Sequence, residues 1–176
     1  DPTIFDFSIE YQNIFHEAYL EKAANTEFVK GMSLWTLFDF QVDGRADAVP
    51  HINSKGLFTS DRRPKDAFYL YKSYWNPEPM VYITGKNWNT RKETTRTKSS
   101  IRPVKIYTNL PEAELIHNGR SLGVKAARDR KIVWDVNFIS GENTLEVAGL
   151  KNGNLIKDRA VINMEFYRPG LPGLLQ

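Results

Sequence analysis

The run Gly31-Met32-Ser33-Leu34-Trp35-Thr36-Leu37-Phe38 is apolar on both of its alternating faces, the pattern of a strand covered on two sides, as in a parallel sheet flanked by helices. Such a strand needs hydrogen-bonding neighbours on both edges, and the sequence around it supplies helices instead. Before it, Phe7, Tyr11, Ile14, Phe15 and Ala18 recur at helical spacing, with Ser8 as a candidate N-cap and Glu10, Gln12, Asn13 and Glu17 on the other side. After it, the polar stretch 41–55 holds Asp43, Arg45, Asp47, His51, Asn53 and Lys55. Then Asp61-Arg62-Arg63-Pro64 opens a second helix, with Pro64 suited to the first helical position and Ala67, Phe68, Tyr71, Tyr74 and Trp75 as its apolar stripe. Residues 7–75 therefore read helix, strand, long loop, helix. One strand cannot make a sheet, so this stretch is expected to be a piece of a larger α/β fold.

The pattern changes at Asn76-Pro77-Glu78-Pro79, where two prolines stop a helix and favour extended chain. The charge changes there too: residues 1–76 carry eight basic against eleven acidic side chains, and 77–176 carry sixteen against ten. This is taken as the domain boundary. Beyond it come short β-rich runs, at Met80–Thr84, Val104–Asn109, Glu112–His117, Ser121–Ala126, Ile132–Val136, Thr144–Ala148 and Arg159–Phe166. Asn118-Gly119 and Asn152-Gly153 fit two-residue hairpin turns, and Gly141 marks a third break. Roughly seven strands in about 90 residues predict an immunoglobulin-like β-sandwich with no helix. Residues 86–98, polar and rich in Thr, Arg and Lys, read as an exposed loop.

Composition excludes several functions. With 41% hydrophobic residues and 12% aromatics in 176 residues, a sizeable core is possible and intrinsic disorder is excluded. No apolar run approaches the roughly 18 residues of a membrane span, and no signal-like apolar core opens the chain, so any targeting segment is expected to be absent or already removed. The absence of cysteine rules out disulfides, a thiolate nucleophile and Cys-based zinc sites. His16, His51 and His117 are too scattered for a metal site, and no cofactor is expected. Seven basic residues against two glutamates between Glu78 and Lys105 invite a polyanion partner, but no aromatic RNA platform or DNA-binding motif accompanies them, so a solvated sandwich face is expected and neither nucleic acid nor membrane is a partner.

Particular words in the sequence point to a family. Phe5-Asp6-Phe7-Ser8-Ile9-Glu10-Tyr11-Gln12, His16-Glu17-Ala18-Tyr19, Leu34-Trp35-Thr36-Leu37-Phe38-Asp39-Phe40 and Asp47-Ala48-Val49-Pro50-His51-Ile52-Asn53-Ser54-Lys55-Gly56-Leu57 resemble the C-terminal end of the catalytic barrel of glycoside hydrolase family two, the family of β-galactosidases and β-glucuronidases. Thr59–Phe68 is similar to the family's last barrel helix. Val104–Asn109, Leu115–Gly123 and Trp134-Asp135-Val136 resemble the immunoglobulin-like domain that follows the barrel. The implied fold class is α/β plus all-β: residues 1–76 as the C-terminal piece of a (β/α)8 TIM barrel, with 34–38 its eighth strand, and 77–176 as the sandwich.

The resemblance also implies a function. In such barrels the loops after the strands carry the chemistry, and a retaining glycosidase needs two carboxyl groups about 5 Å apart. The family supplies these as glutamates of the fourth and seventh strands, which here would lie upstream of Asp1. No catalytic residue is therefore expected in this chain, which alone should be inactive. It would form part of a retaining exo-β-glycosidase, in the company of the N-terminal jelly-roll and barrel segments, with a carbohydrate as substrate and a periplasmic or extracellular setting. Trp35, by default a core residue in an apolar strand, matches the tryptophan that packs on the sugar, and aromatic faces suit pyranose rings. Asn53 and Lys55 form an Asn-x-Lys pair that in β-glucuronidases contacts the substrate carboxylate, a fitting task for an ammonium. His51 could reach the same pocket, and Asp39 is expected to support the site by holding the loop. Because galactosidase-like members carry similar segments, the wording of His51–Gly56 leans slightly to β-galactosidase, with β-glucuronidase as the alternative. From a different class, residues 80–167 could act as a non-catalytic carbohydrate-binding or spacer module.

Overall fold

The computed structural model describes residues 6–45 and 49–170; Phe5, Asp47 and Ala48, which carry part of the resemblance, lie outside the described residues. The chain divides into two compact units, Asp1–Lys72 and Ser73–Gln176.

The first unit opens with helix α1, Ile9–Ala24. Ser8 caps it as expected, its Oγ accepting the Tyr11 N–H at 3.1 Å. Two short strands, β1 (Phe40–Gln41) and β2 (Ile52–Asn53), pair antiparallel, and helix α2 spans Asp66–Trp75. The face that α1 buries is not the expected one. Asn13, His16 and Leu20 are buried, whereas Tyr11 and Ile14 of the aromatic stripe are 48% and 54% exposed. Polar partners decide the orientation: Asn13 Nδ2 donates to Asp66 Oδ2 at 3.2 Å, and His16 Nδ1 lies 3.0 Å from the Tyr71 hydroxyl.

Residues 34–38, expected as a strand buried on both sides, do not form one. Phe38 makes a single parallel bridge to Phe58. The Leu57 and Phe58 N–H groups donate to the Thr36 and Leu37 carbonyls at 3.1 and 2.9 Å, and the Asp39 N–H donates to the Phe58 carbonyl at 2.9 Å. One edge is thus partnered over a few residues, and among the described residues no strand borders the other. The second helix also starts later than expected. Pro64 bridges antiparallel to Phe58, and the Lys65 N–H donates to the Leu57 carbonyl at 2.9 Å, so this backbone is drawn into extended pairing and α2 begins only at Asp66.

The second unit is a β-sandwich of β3 (Val81–Ile83), β4 (Thr90–Thr94), β5 (Ser99–Thr108), β6 (Glu112–His117), β7 (Arg120–Ala126), β8 (Lys131–Ile139), β9 (Gly141–Lys151) and β10 (Asn154–Tyr167). A five-stranded sheet runs β4-β10-β9-β6-β7, and a three-stranded sheet runs β3-β5-β8. Alternation is clean where the sheets face each other: Ile132, Trp134, Val136 and Phe138 of β8 point inward, as do Leu145 and Val147 of β9 and Ile162, Met164 and Phe166 of β10. Asn118-Gly119 and Asn152-Gly153 turn their hairpins with left-handed backbone, φ 49° and 76° in the first pair and 51° and 80° in the second.

Three features of the sandwich depart from the sequence expectation. Residues 86–98, read as loop, contain β4, which pairs parallel with Asn163–Tyr167 of β10. Its sequence Thr-Arg-Lys-Glu-Thr has no apolar alternation because it is an edge strand held by polar bonds: Arg102 and Ser100 donate to the Glu93 carboxylate and hold it below the usual carboxylate range, Arg102 foremost. Strand β5 runs back through Pro103, a residue that cannot donate to a ladder. It is tolerated because β3 pairs only with Ile106–Thr108, which leaves Pro103 with a free side. A third left-handed pair, Asp129-Arg130 at φ 49° and 63°, has no glycine to announce it.

Candidate functional site

A cleft of about 980 Å³ opens within the first unit, lined among others by Asp6, Gln12, Trp35, Asp39, Lys55 and Lys65. Three of the five expected site residues, Trp35, Asp39 and Lys55, share it. Asn53 and His51 do not line it.

Each wall has a local cause. Trp35 lies within the apolar run yet is 70% exposed, and Phe40 supports its ring edge-on at 6.0 Å between centroids. Lys55 is exposed, but its backbone is held from two sides. Buried Asn53 accepts the Lys55 N–H on Oδ1 at 3.2 Å, and Gln12 Nε2 donates to the Lys55 and Gly56 carbonyls at 3.3 and 3.0 Å. Asn53 is therefore a support behind the cleft. His51 is exposed in a left-handed turn, φ 61°, where its N–H donates to the Arg45 carbonyl at 2.8 Å and its carbonyl accepts the Val42 N–H at 2.9 Å. These bonds shape the turn and leave the imidazole outside the cleft lining.

Asp39 and Lys65 form the floor. Lys65 Nζ donates to Asp39 Oδ1 at 2.7 Å, with side chains only 8% and 11% exposed, and the same oxygen accepts the Gly56 N–H at 2.8 Å. Gly56 approaches so closely that a Cβ there would stand 2.3 Å from the Asp39 nitrogen and 2.6 Å from the Phe58 carbonyl oxygen; glycine is required by contact, not by torsion. At the mouth, the Ser8 side chain and N–H hold the Asp6 carboxyl below the usual range.

The cleft thus offers an aromatic face, one exposed ammonium on a fastened loop and a floor whose carboxylate is already committed to Gly56 and Lys65. Such a lining can orient a ligand with polar groups and cover it with a ring. Among the described residues no group of three or more metal-ligating side chains gathers, and no helix is long and apolar enough to cross a membrane. Sequence reasoning missed Lys65, Gln12 and Asp6. Lys65 reads as the first turn of a helix and Gln12 as the outer face of one; both became visible only once the chain had brought residues 12, 39, 56 and 65 together.

Comparison with known proteins gives this geometry its context. A family model described as "Domain of unknown function (DUF4982)" matches residues 100–157. The chain is 39% identical over 142 residues to a beta-glucuronidase of Bacteroides fragilis, covering 78% of this chain and 20% of that protein. It is 27% identical over 150 residues to the beta-galactosidase BoGH2A of Bacteroides ovatus, covering 83% and 17%. Among solved structures, beta-glucuronidase 2 of Bacteroides uniformis, covalently bound to cyclophellitol-6-carboxylate aziridine, superposes with a TM-score of 0.87 at 34% identity over 93% of this chain and 20% of that one. The chain spans about a fifth of the length of the curated relatives it matches.

Proposed function

Because this chain belongs to glycoside hydrolase family two, the family of β-glucuronidases and β-galactosidases, we propose that it forms the C-terminal portion of a retaining exo-β-glycosidase acting on glucuronides. In this reading residues 1–76 complete the catalytic barrel and 77–176 form its immunoglobulin-like neighbour. The catalytic glutamates belong to the part of the enzyme outside this chain, which contributes one wall of the sugar site. The observation that carries the reading is the convergence of Trp35 and Lys55 on one cleft, an aromatic face beside a free ammonium. A glucuronide presents a pyranose face to the first and a C6 carboxylate to the second. The slight preference of the sequence for a galactoside gives way here. The beta-glucuronidase of Bacteroides fragilis is more similar than the galactosidase relative, and the cyclophellitol-6-carboxylate aziridine covalently bound to the Bacteroides uniformis enzyme carries a carboxylate of the kind that Lys55 suits.

An ammonium facing a carboxylate in a partly desolvated pocket contributes about 1.5 to 3 kcal/mol. In the full-length enzyme, Lys55→Ala should lower kcat/KM for nitrophenyl β-glucuronide roughly 10- to 150-fold while changing any β-galactoside activity much less. Faster turnover of the galactoside by the wild type, with equal small losses on both substrates, would return the protein to the galactosidase reading. The chain by itself should match the buffer blank on both substrates, because a wall without acid or nucleophile cannot cleave a glycoside.

A further inference from the structure

Lys65 lies deeper than its surroundings require. Arg62 and Arg63 nearby are exposed, and a lysine just before a helix can extend into water at no cost. Here the ammonium is buried, and a buried charge is costly unless it is paired and fully hydrogen-bonded. Its two partners come from different segments: Asp39 Oδ1 at 2.7 Å, four residues after Trp35, and the Ser54 carbonyl at 2.8 Å, one residue before Lys55. Asp39 carries the tie onward to the Gly56 N–H, one residue after Lys55. Lys55 is therefore anchored on both flanks by groups that converge on one ammonium, while its own side chain remains exposed. The close approach of Gly56 to the Asp39 and Phe58 backbones leaves the loop little room to settle elsewhere.

Resting on the placement of Lys55 against the substrate carboxylate, we infer that Lys65 is a positioning residue for sugar recognition, one that fixes the Lys55 ammonium by tying the loop 53–56 to Asp39. It acts through Lys55 and touches no substrate itself. A displacement of about 1 Å at such a site can cost on the order of 100-fold in rate, so the effect of losing Lys65 should be specific to a substrate that uses Lys55.

The test is a double-mutant cycle in the full-length enzyme, with Lys65→Met, Lys55→Ala and the double variant assayed on nitrophenyl β-glucuronide and on the matching β-galactoside. Lys65→Met should lower kcat/KM on the glucuronide by about 100-fold, mainly through KM, with a smaller loss on the galactoside. On the Lys55→Ala background the same substitution should cost no more than about threefold. Lys65→Arg, which keeps a cation for Asp39, should recover part of the loss. Losses of equal factor on both backgrounds, or on both substrates, overturn the inference and leave the ion pair a purely structural one. If Lys65→Met does not fold, Asp39→Asn, which keeps an oxygen for Gly56 but removes the charge facing Lys65, goes through the same cycle and is read the same way. A wild-type enzyme that loses nothing on Lys55→Ala overturns instead the placement of Lys55, and the inference with it.

Discussion

The two units bury polar and apolar groups in different proportions. In the sandwich the large fully buried side chains are Trp134, Phe138, Phe166, Leu115, Ile162 and their like, and Thr108 and Asn143 are buried polar side chains that bond to backbone groups. In the unit before it, Asn13, His16, Asn53, Lys65 and Asp66 are buried, while Phe7, Tyr11, Ile14, Phe15, Tyr19 and Trp35 face outward. One region is held by the hydrophobic effect, which is proportional to area and indifferent to direction. The other adds to a small apolar interior, Leu20, Leu57, Leu70 and Tyr71, directional bonds that fix where particular atoms lie. The difference fits the proposed function. A module that needs only to persist can be packed with apolar side chains, whereas under the proposed reading a wall that presents one ammonium and one ring uses its interior for clamps.

The comparison can be broken first on the apolar side. Phe138→Ala, which empties a fully buried position in β8, should destabilise the sandwich by about 3 to 5 kcal/mol, seen as a lowered urea midpoint for its transition. Hydrogen exchange in the first unit should stay unchanged. Loss of protection in both units together would show that they unfold as one.

On the polar side, Asp39→Ala leaves the Lys65 ammonium without its carboxylate and should cost the first unit about 3 kcal/mol. Rapid exchange of the Gly56 amide is the measurement that checks it. A cost below about 1 kcal/mol, the value of an exposed pair, would mean that the clamp is decoration and the contrast between the units is false.

The smallest effect concerns pH. Burial lowers the pKa of His16 below its ordinary value of 6.5, and burial pushes the Tyr71 hydroxyl up to about 12, so the pair is neutral in the folded unit. The unfolded chain takes up a proton on His16 as pH falls through about 6.5 and the folded one resists. Stability of the α1 packing is therefore full above that value and declines below it. Urea midpoints of the first unit measured at pH 7.5 and 5.5 should differ for the wild type and converge for His16→Gln; an unchanged difference would exclude His16 as the cause.

The sandwich was largely legible in the sequence because its signals are local. Alternating side chains and Asn-Gly turns identify strands without reference to anything distant, and where that locality fails, as in β4 and at Asp129-Arg130, the sequence is silent. In the first unit the apolar stripe of α1 and the run 34–38 suggest burial, yet the structure exposes much of both. Amphipathicity tells which side chains share a face, not which face finds a partner. Trp35, Asp39 and Lys55 were recognisable from the family wording around them. Lys65 and Gln12 were not, because their roles depend on contacts across 26 and 43 residues of sequence.

The five-stranded sheet ends on β4, a strand of five residues with charges at Arg91, Lys92 and Glu93. The outermost strand of any sheet is an invitation to another chain, since its unpaired backbone groups can extend the ladder into a neighbour. Here an incoming strand would have to lie against Lys92, 67% exposed, and displace water from a row of side chains with no apolar surface to offer in return. The strand that no hydrophobic pattern announces is thus the one that closes this edge of the sheet against pairing with another chain.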